Sequence, residues 1–339
     1  MFFGVAALAS DDAWAAGYEG PRKTSTPVVA HWDGRKLRVV RAFQESRRGG
    51  QLTSIAATAP DDVWAVGADG GGHAVALHWD GTAWAVVQTP QRGEFLSDVL
   101  AVAPDDVWAV GEWSAGRRNG SSRPFTMHWD GQRWRVVEVG GEIGSTPADL
   151  AAVDGRAADD VWAVGENTDD PYTSFGFLDV VLHWDGQTWS QVASPLADEM
   201  GSGPVAEAVS VAPDSEVWTL NYDYSGNGPD FVHWSGRNRR VAKVEAPDFL
   251  DDSSGDIEAW LDGVAAISKK SVWGVGEWET YRSRRYVDHP LIAWWNGRSW
   301  RREHPLLDRI RNASLVDLSV VSPHEVWATG EHLIARYAC

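Results

Sequence analysis

A chain of 339 residues with 48 acidic against 30 basic residues carries a formal charge of −18, a sign that opposes sequence-independent binding to nucleic acid or to an anionic membrane surface. Its one cysteine, Cys339, is the last residue, so neither an intrachain disulfide nor a cysteine metal site can be built. Met1 to Ser10 lacks the basic start and long apolar run of a signal peptide, and no stretch approaches the roughly 18 apolar residues of a membrane span. A soluble chain is predicted, either cytoplasmic or secreted with its leader removed.

The sequence repeats itself throughout. Asp105-Asp106-Val107-Trp108-Ala109-Val110-Gly111 returns around Trp14, Trp64, Trp162, Trp218, Trp273 and Trp327, at intervals of 44 to 56 residues. Between successive copies lies a second phrase, His78-Trp79-Asp80-Gly81 then Trp84, echoed around Trp32, Trp129, Trp184, Trp234 and Trp295. A period of about 50 residues built from short apolar runs marks a propeller or solenoid.

The second unit shows the pattern. Ile55 to Thr58 is a short apolar strand ending in the turn Ala59-Pro60-Asp61-Asp62. Val63 to Gly67 alternates as a buried strand, with Gly67 releasing it into a loop. Ala74 to Trp79 is a third strand, Asp80-Gly81 suggests a type I′ hairpin with positive φ at both residues, and Trp84 to Val87 is the fourth. Small residues in strand one suit a crowded axis, and tryptophans on strands two to four fill the widening wedge between blades. The expectation is an all-β, seven-bladed propeller of four-stranded antiparallel blades, with residues 1–339 forming a single domain.

Strands one to three occur seven times and strand four six times, because the chain stops at Tyr337-Ala338-Cys339 where the last hairpin turn would begin. Three outcomes are open: a three-stranded seventh blade, an edge covered by Met1 to Leu8, or a natural protein that runs longer. The connections from strand two to three and from strand four to the next blade are long and polar, which makes their face the expected seat of function.

These words resemble bacterial propellers rich in Val-Trp-Ala-Val-Gly and His-Trp-Asp-Gly repeats, a group with no common activity to carry over. Trp-Asp-Gly-x-x-Trp is also similar to the Asp-box turn of sialidase-type propellers, with Asp80 and Gly81 adjacent and no leading Ser or Thr. That resemblance implies a structural turn and no glycosidase.

Residues shared by most blades are explained by the blade. His31, His78, His128, His183 and His233 stand beside repeat tryptophans, so each is expected to hydrogen-bond within its blade. The paired aspartates belong to turns. Subtracting the repeat leaves Trp113 and Trp278, each in Val-Gly-Glu-Trp, and Trp260 in the connection between blades five and six. Large aromatics outside the packing register are candidates for ligand contact. Glu112, Glu166, Glu277 and Glu331 follow strand two and would form a partial ring at the channel mouth, with His332 and His73 nearby on the same face, and Tyr222 is a further ligand-binding candidate. The expected function is recognition of a small-molecule, glycan or protein partner at that mouth. The alternatives are an enzyme taking acid and base from Glu112, Glu166, Glu277, Glu331 and His332, or a protein-interaction scaffold. No cofactor is implied apart from calcium at Asn221, Asp223 and Ser225, where a bidentate glutamate at the twelfth position is missing.

Overall fold

The computed structural model describes residues 1–41, 49–90, 94–114, 122–167, 179–193, 205–222, 229–235, 240–244, 257–282, 285–303 and 307–338. The strands fall in chain order. Blade 1 is β1 (Phe2–Ala9), β2 (Asp12–Glu19), β3 (Thr26–Trp32) and β4 (Leu37–Arg41); blade 2 is β5 (Gly50–Ala59), β6 (Asp62–Asp69), β7 (Ala74–Trp79) and β8 (Trp84–Val87). Blade 3 is β9 (Glu94–Ala103), β10 (Asp106–Trp113), β11 (Arg123–Trp129) and β12 (Trp134–Val136); blade 4 is β13 (Ala148–Ala157), β14 (Asp160–Asn167), β15 (Asp179–Trp184) and β16 (Trp189–Gln191). Blade 5 is β17 (Val205–Val211), β18 (Val217–Tyr222), β19 (Pro229–Ser235) and β20 (Arg240–Val244); blade 6 is β21 (Ile257–Ser268), β22 (Ser271–Arg282), β23 (Arg285–Trp295) and β24 (Trp300–Glu303). Blade 7 has three strands, β25 (Leu315–Ser322), β26 (Glu325–Gly330) and β27 (Leu333–Ala338). The molecule is an all-β, seven-bladed propeller whose strands run antiparallel in sequence order.

Each first strand packs on the first strand of the next blade, and β25 packs on β1 to close the ring. The possibility that the N-terminal residues cover an edge is overturned, since β1 pairs with β2 as the innermost strand of blade 1.

Two local readings of the sequence need correction. Gly67 does not end its strand; β6 continues to Asp69. The register between β5 and β6 slips at Thr53, forming a β-bulge, and the bulge drives the carbonyl of Gln51 against Gly67, where any side chain would collide with it. The same collision awaits a side chain at Gly111, Gly165, Gly276 and Gly330. The repeat glycine therefore serves close backbone approach, not chain reversal. The Asp-Gly hairpin is likewise not a two-residue type I′ turn. Trp79 pairs with Trp84 across four intervening residues, and only Gly81 has positive φ. Asp80 stays at negative φ because its carboxylate accepts hydrogen bonds from the backbone N–H groups of Thr82 and Ala83, at 2.8 and 2.9 Å. The side chain thus supplies the turn geometry.

The tryptophans form a packed belt. Trp64 of blade 2 meets Trp129 at 5.0 Å and Trp134 edge-on at 5.3 Å, both from blade 3. Trp108 meets Trp184 and Trp189 of blade 4 in the same way. The repeat histidines complete the belt from within their own blades: His78 Nε2 lies 2.6 Å from Asp62 Oδ1 while its ring stacks on Trp64. His31 with Asp12, His128 with Asp106 and His183 with Asp160 repeat the pairing. The second aspartate of each pair is therefore a strand residue that fixes a histidine, and only the first belongs wholly to the turn.

Nearer the axis, buried aspartates tie neighbouring blades together. Asp98 accepts from Ser54 Oγ of blade 2 at 2.6 Å and from the Val153 N–H of blade 4 at 2.8 Å. Asp154 accepts from the Val211 N–H of blade 5 at 2.7 Å, and Asp317 from the Val5 N–H of blade 1 at 2.8 Å. All three border a channel cavity of about 320 Å³.

Candidate functional site at the channel mouth

The bulge that creates the glycine position also positions the mouth. Every first strand carries it, at Phe3, Thr53, Ser97, Ala151, Glu207, Asp262 and Val316. A bulged residue stands outside the ladder, so its side chain is re-aimed. In blades 5 and 6 that position holds carboxylates. Strand two adds the residue after the repeat glycine: Glu112, Glu166, Glu277 and Glu331, with Tyr222 taking the same place in blade 5. Glu112, Glu166, Tyr222 and Glu277 lie within or at the end of strands, and Glu331 directly follows β26 in the turn to β27.

An acidic sector results. Burial, reinforced by Asp149 and Glu207, pushes Glu166 up to about 7. Asp149 pairs with Glu166 across β13 and β14 and is itself pushed up to about 6 by burial and Glu112. Burial raises Glu207, and burial together with Glu277 and Glu207 pushes Asp262 up to about 7. Glu277 is raised by burial first and then by Asp288, Glu279 and Glu331. At the centre stands Tyr222, whose oxygen accepts the Leu261 N–H at 2.8 Å and whose ionisation is opposed by burial, then by Asp262, Glu207 and Glu277. Like charges sharing a desolvated space hold protons that isolated carboxylates would release. Such groups can donate as well as accept hydrogen bonds near neutral pH.

The structure groups the sequence candidates unevenly. Glu166, Tyr222 and Glu277 fall in the acidic sector, with Glu112 and Glu331 at its two ends. His332 is 77% exposed on the two-residue turn after β26, its Nε2 3.8 Å from Glu331 Oε1. Trp260 lies in the innermost strand of blade 6 and pairs with Glu277, rather than in a connection. Trp278 stacks on His289 at 4.4 Å and carries the Arg302 guanidinium at 4.1 Å on its ring, so its ring is occupied from within blade 6. Trp113 pairs with Glu94 and Arg123 and borders a separate cavity of about 230 Å³ beside β11. Asn221 is fully buried within β18, accepting from Thr219 Oγ1 at 2.7 Å; Asp223 and Ser225 lie outside the described residues. No group of three or more His, Cys, Asp or Glu side chains is arranged to hold a metal ion among the described residues.

Reading by repeats missed Asp149, Glu207 and Asp262. For Glu207 and Asp262 the signal lay in the column after the strand-one apolar residue, where Thr53, Ser97, Ala151 and Val316 are uncharged; Asp149 stands outside that column, paired with Glu166. Finding it required knowing that this column is the bulge.

No protein-family model and no curated protein matches the chain. Solved propellers do match it in fold. The chain is 12% identical to YCF48 bound to D1 peptide, with a TM-score of 0.62 over 100% of this chain and 93% of that one. It is 14% identical to a GH74 xyloglucanase from Xanthomonas campestris, with a TM-score of 0.63 over 99% of this chain and 51% of that one. It is 12% identical to the BP39L lectin from Burkholderia pseudomallei, with a TM-score of 0.57 over 100% of this chain and 97% of that one. At such identities the likeness establishes the fold. No helix of the described residues is long and apolar enough to cross a membrane.

Proposed function

We propose that this chain is a recognition propeller whose ligand is held at the channel mouth, in the sector of blades 4 to 6, through donors offered to its carboxyl groups. One observation carries the reading: Glu207 and Asp262, placed by bulges, flank the half-buried Tyr222, and Glu277 and Glu207 add to the burial that raises Asp262. Clustering them costs stability through desolvation and repulsion. A ligand rich in hydroxyl or ammonium groups relieves that cost on binding. Among the similar propellers, one is solved with a bound peptide and another is a lectin, which agrees with a ligand of either source. The test is to screen the chain against a glycan array and a panel of lysine-bearing peptides, then repeat with Glu207→Gln, Asp262→Asn. Loss of the selected ligand from a folded variant supports the site; an unchanged dissociation constant removes it.

Glu166 favours a second reading, as an enzyme. Its Oε2 is enclosed without a hydrogen-bond donor among the described residues, and burial with Asp149 holds its proton near neutrality, the condition for a general acid with a neighbouring base. Turnover of a glycan from the same array, abolished in Glu166→Gln with binding retained, would establish it. A ligand bound and released unaltered would leave recognition as the function.

A further inference from the structure

In blade 3, β12 is three residues long and β11 seven, and the mismatch leaves a gap at the blade's edge. The last links between the two run from the Val137 N–H to the Thr126 carbonyl at 3.0 Å and from Thr126 Oγ1 to the Val137 carbonyl at 2.5 Å. Toward Arg123, the outer edge of β11 has no ladder partner among the described residues. The chain departs for blade 4 instead, and the cavity of about 230 Å³ opens between it and β11.

The far wall is held in place. Val139 and Ile143 are buried in the core shared with blade 4. Gly144, on the cavity's border, lies so close to the Val139 carbonyl that any side chain would collide with it. Ser145 and Thr146 both donate to the Glu142 carbonyl, through hydroxyl and backbone N–H alike. A wall ordered before a ligand arrives costs little to order on binding.

The near wall carries the chemistry. Arg123 pairs with Trp113, and Phe125 with Gly111, so Arg123, Trp113 and Phe125 stand on one face of the sheet, and all three line the cavity. Arg123 is half-buried, and among the described residues no carboxylate lies within ion-pair distance of it. Glu138 also borders the cavity but is exposed, where water weakens its field. A guanidinium withdrawn from water without a counter-ion carries a cost that an incoming carboxylate removes.

We infer that this cavity binds a small aromatic carboxylate, its ring against Trp113 and Phe125 and its two oxygens on the Arg123 guanidinium. Volume sets the size. A cavity of roughly 150 Å³ takes a benzene, so one of about 230 Å³ holds a single ring with a carboxylate attached. The planar fork of arginine matches that carboxylate with two parallel N–H···O bonds. The site is separate from the mouth in blades 4 to 6 and takes a ligand of the opposite sign.

The probe is para-fluorobenzoate, titrated with the chain and followed by fluorine NMR, with para-fluorobenzylamine as the analogue of opposite charge. Saturable binding of the carboxylate is expected at about 1 mM or tighter, in keeping with its roughly ten non-hydrogen atoms, and the amine should not displace it. Arg123→Gln should weaken binding about tenfold, and Arg123→Lys less, because the charge stays while the fork is lost. Trp113→Leu should weaken it through loss of the ring contact. Thermal melting checks that each variant is folded, and the two Arg123 variants decide the matter should Trp113→Leu unfold. Absence of saturation, an equal response to the amine, or an Arg123→Gln variant that binds para-fluorobenzoate as tightly as the parent chain overturns the proposal.

Discussion

The Oδ2 of Asp317, in the last blade, accepts the backbone N–H of Val5, in the first, at 2.8 Å. This contact joins the two ends of the ring from residues 312 positions apart. Asp317→Ala leaves the N–H groups of Val5 and Leu318 without their carboxylate acceptor, which costs about 2 kcal/mol. Urea melts at pH 5 should show that loss, with Asp317→Asn intermediate because one amide oxygen remains to accept.

Stability should fall as pH rises from 5 to 8. Asp154 is pushed up to about 6 and Asp317 to about 7 by burial, with Asp98 adding to each, and Asp149, Glu166 and Asp262 are raised at the mouth. A carboxyl that holds its proton more tightly folded than unfolded stabilises the fold below its unfolded pKa, and that contribution is lost as pH climbs to the folded value. His233, lowered by burial, acts in the opposite sense as pH falls below about 6.5. Five raised carboxyls outweigh it. The melting temperature should decline between pH 5 and 8 and level off above, and a rising curve would contradict the assignment.

Thr329→Val should stabilise the chain. Thr329 is fully buried and its hydroxyl has no partner among the described residues, while the same column holds Val66, Val110, Val164 and Val275. Removing an orphaned polar group at nearly constant volume is worth about 1 kcal/mol, readable as a rightward shift of the urea midpoint.

Gly67→Ala should be among the most damaging single changes. Its methyl would be driven into the Gln51 carbonyl, so the backbone at Gln51 and Leu52 must shift to relieve the clash. A loss of about 3 kcal/mol is expected by chemical denaturation. Gly72→Ala, with positive φ but open space around it, should cost only about 1 kcal/mol.

The blades were legible because one pattern recurs, so an ambiguity in one unit is settled by the others. Trp64, His78 and Trp84 declare their positions by repetition. The repeat histidines were correctly assigned to the blade, and Trp294 in the histidine column donates instead to Ser271 Oγ at 3.1 Å. What repetition hides is the bulge, since an extra residue in all seven blades leaves the alternation looking regular. Gly67 was therefore taken for a strand end. Glu207 and Asp262 went unnoticed for the same reason, and attention passed to Trp278, which an intrablade stack with His289 and Arg302 already occupies. The channel aspartates Asp98, Asp154 and Asp317 escaped notice because their partners are backbone N–H groups of other blades, invisible to a reading confined to one repeat.

Because a bulged residue is released from the ladder, its chemistry is also released from the demands of folding. Phenylalanine, threonine, serine, alanine, glutamate, aspartate and valine all occupy that place in this one chain, at Phe3, Thr53, Ser97, Ala151, Glu207, Asp262 and Val316. In every blade but the fifth, where Asn221 takes the place, a glycine on strand two gives the bulged backbone room. Such an arrangement lets the rim change what it attracts one blade at a time while the strand pairing of each blade is kept.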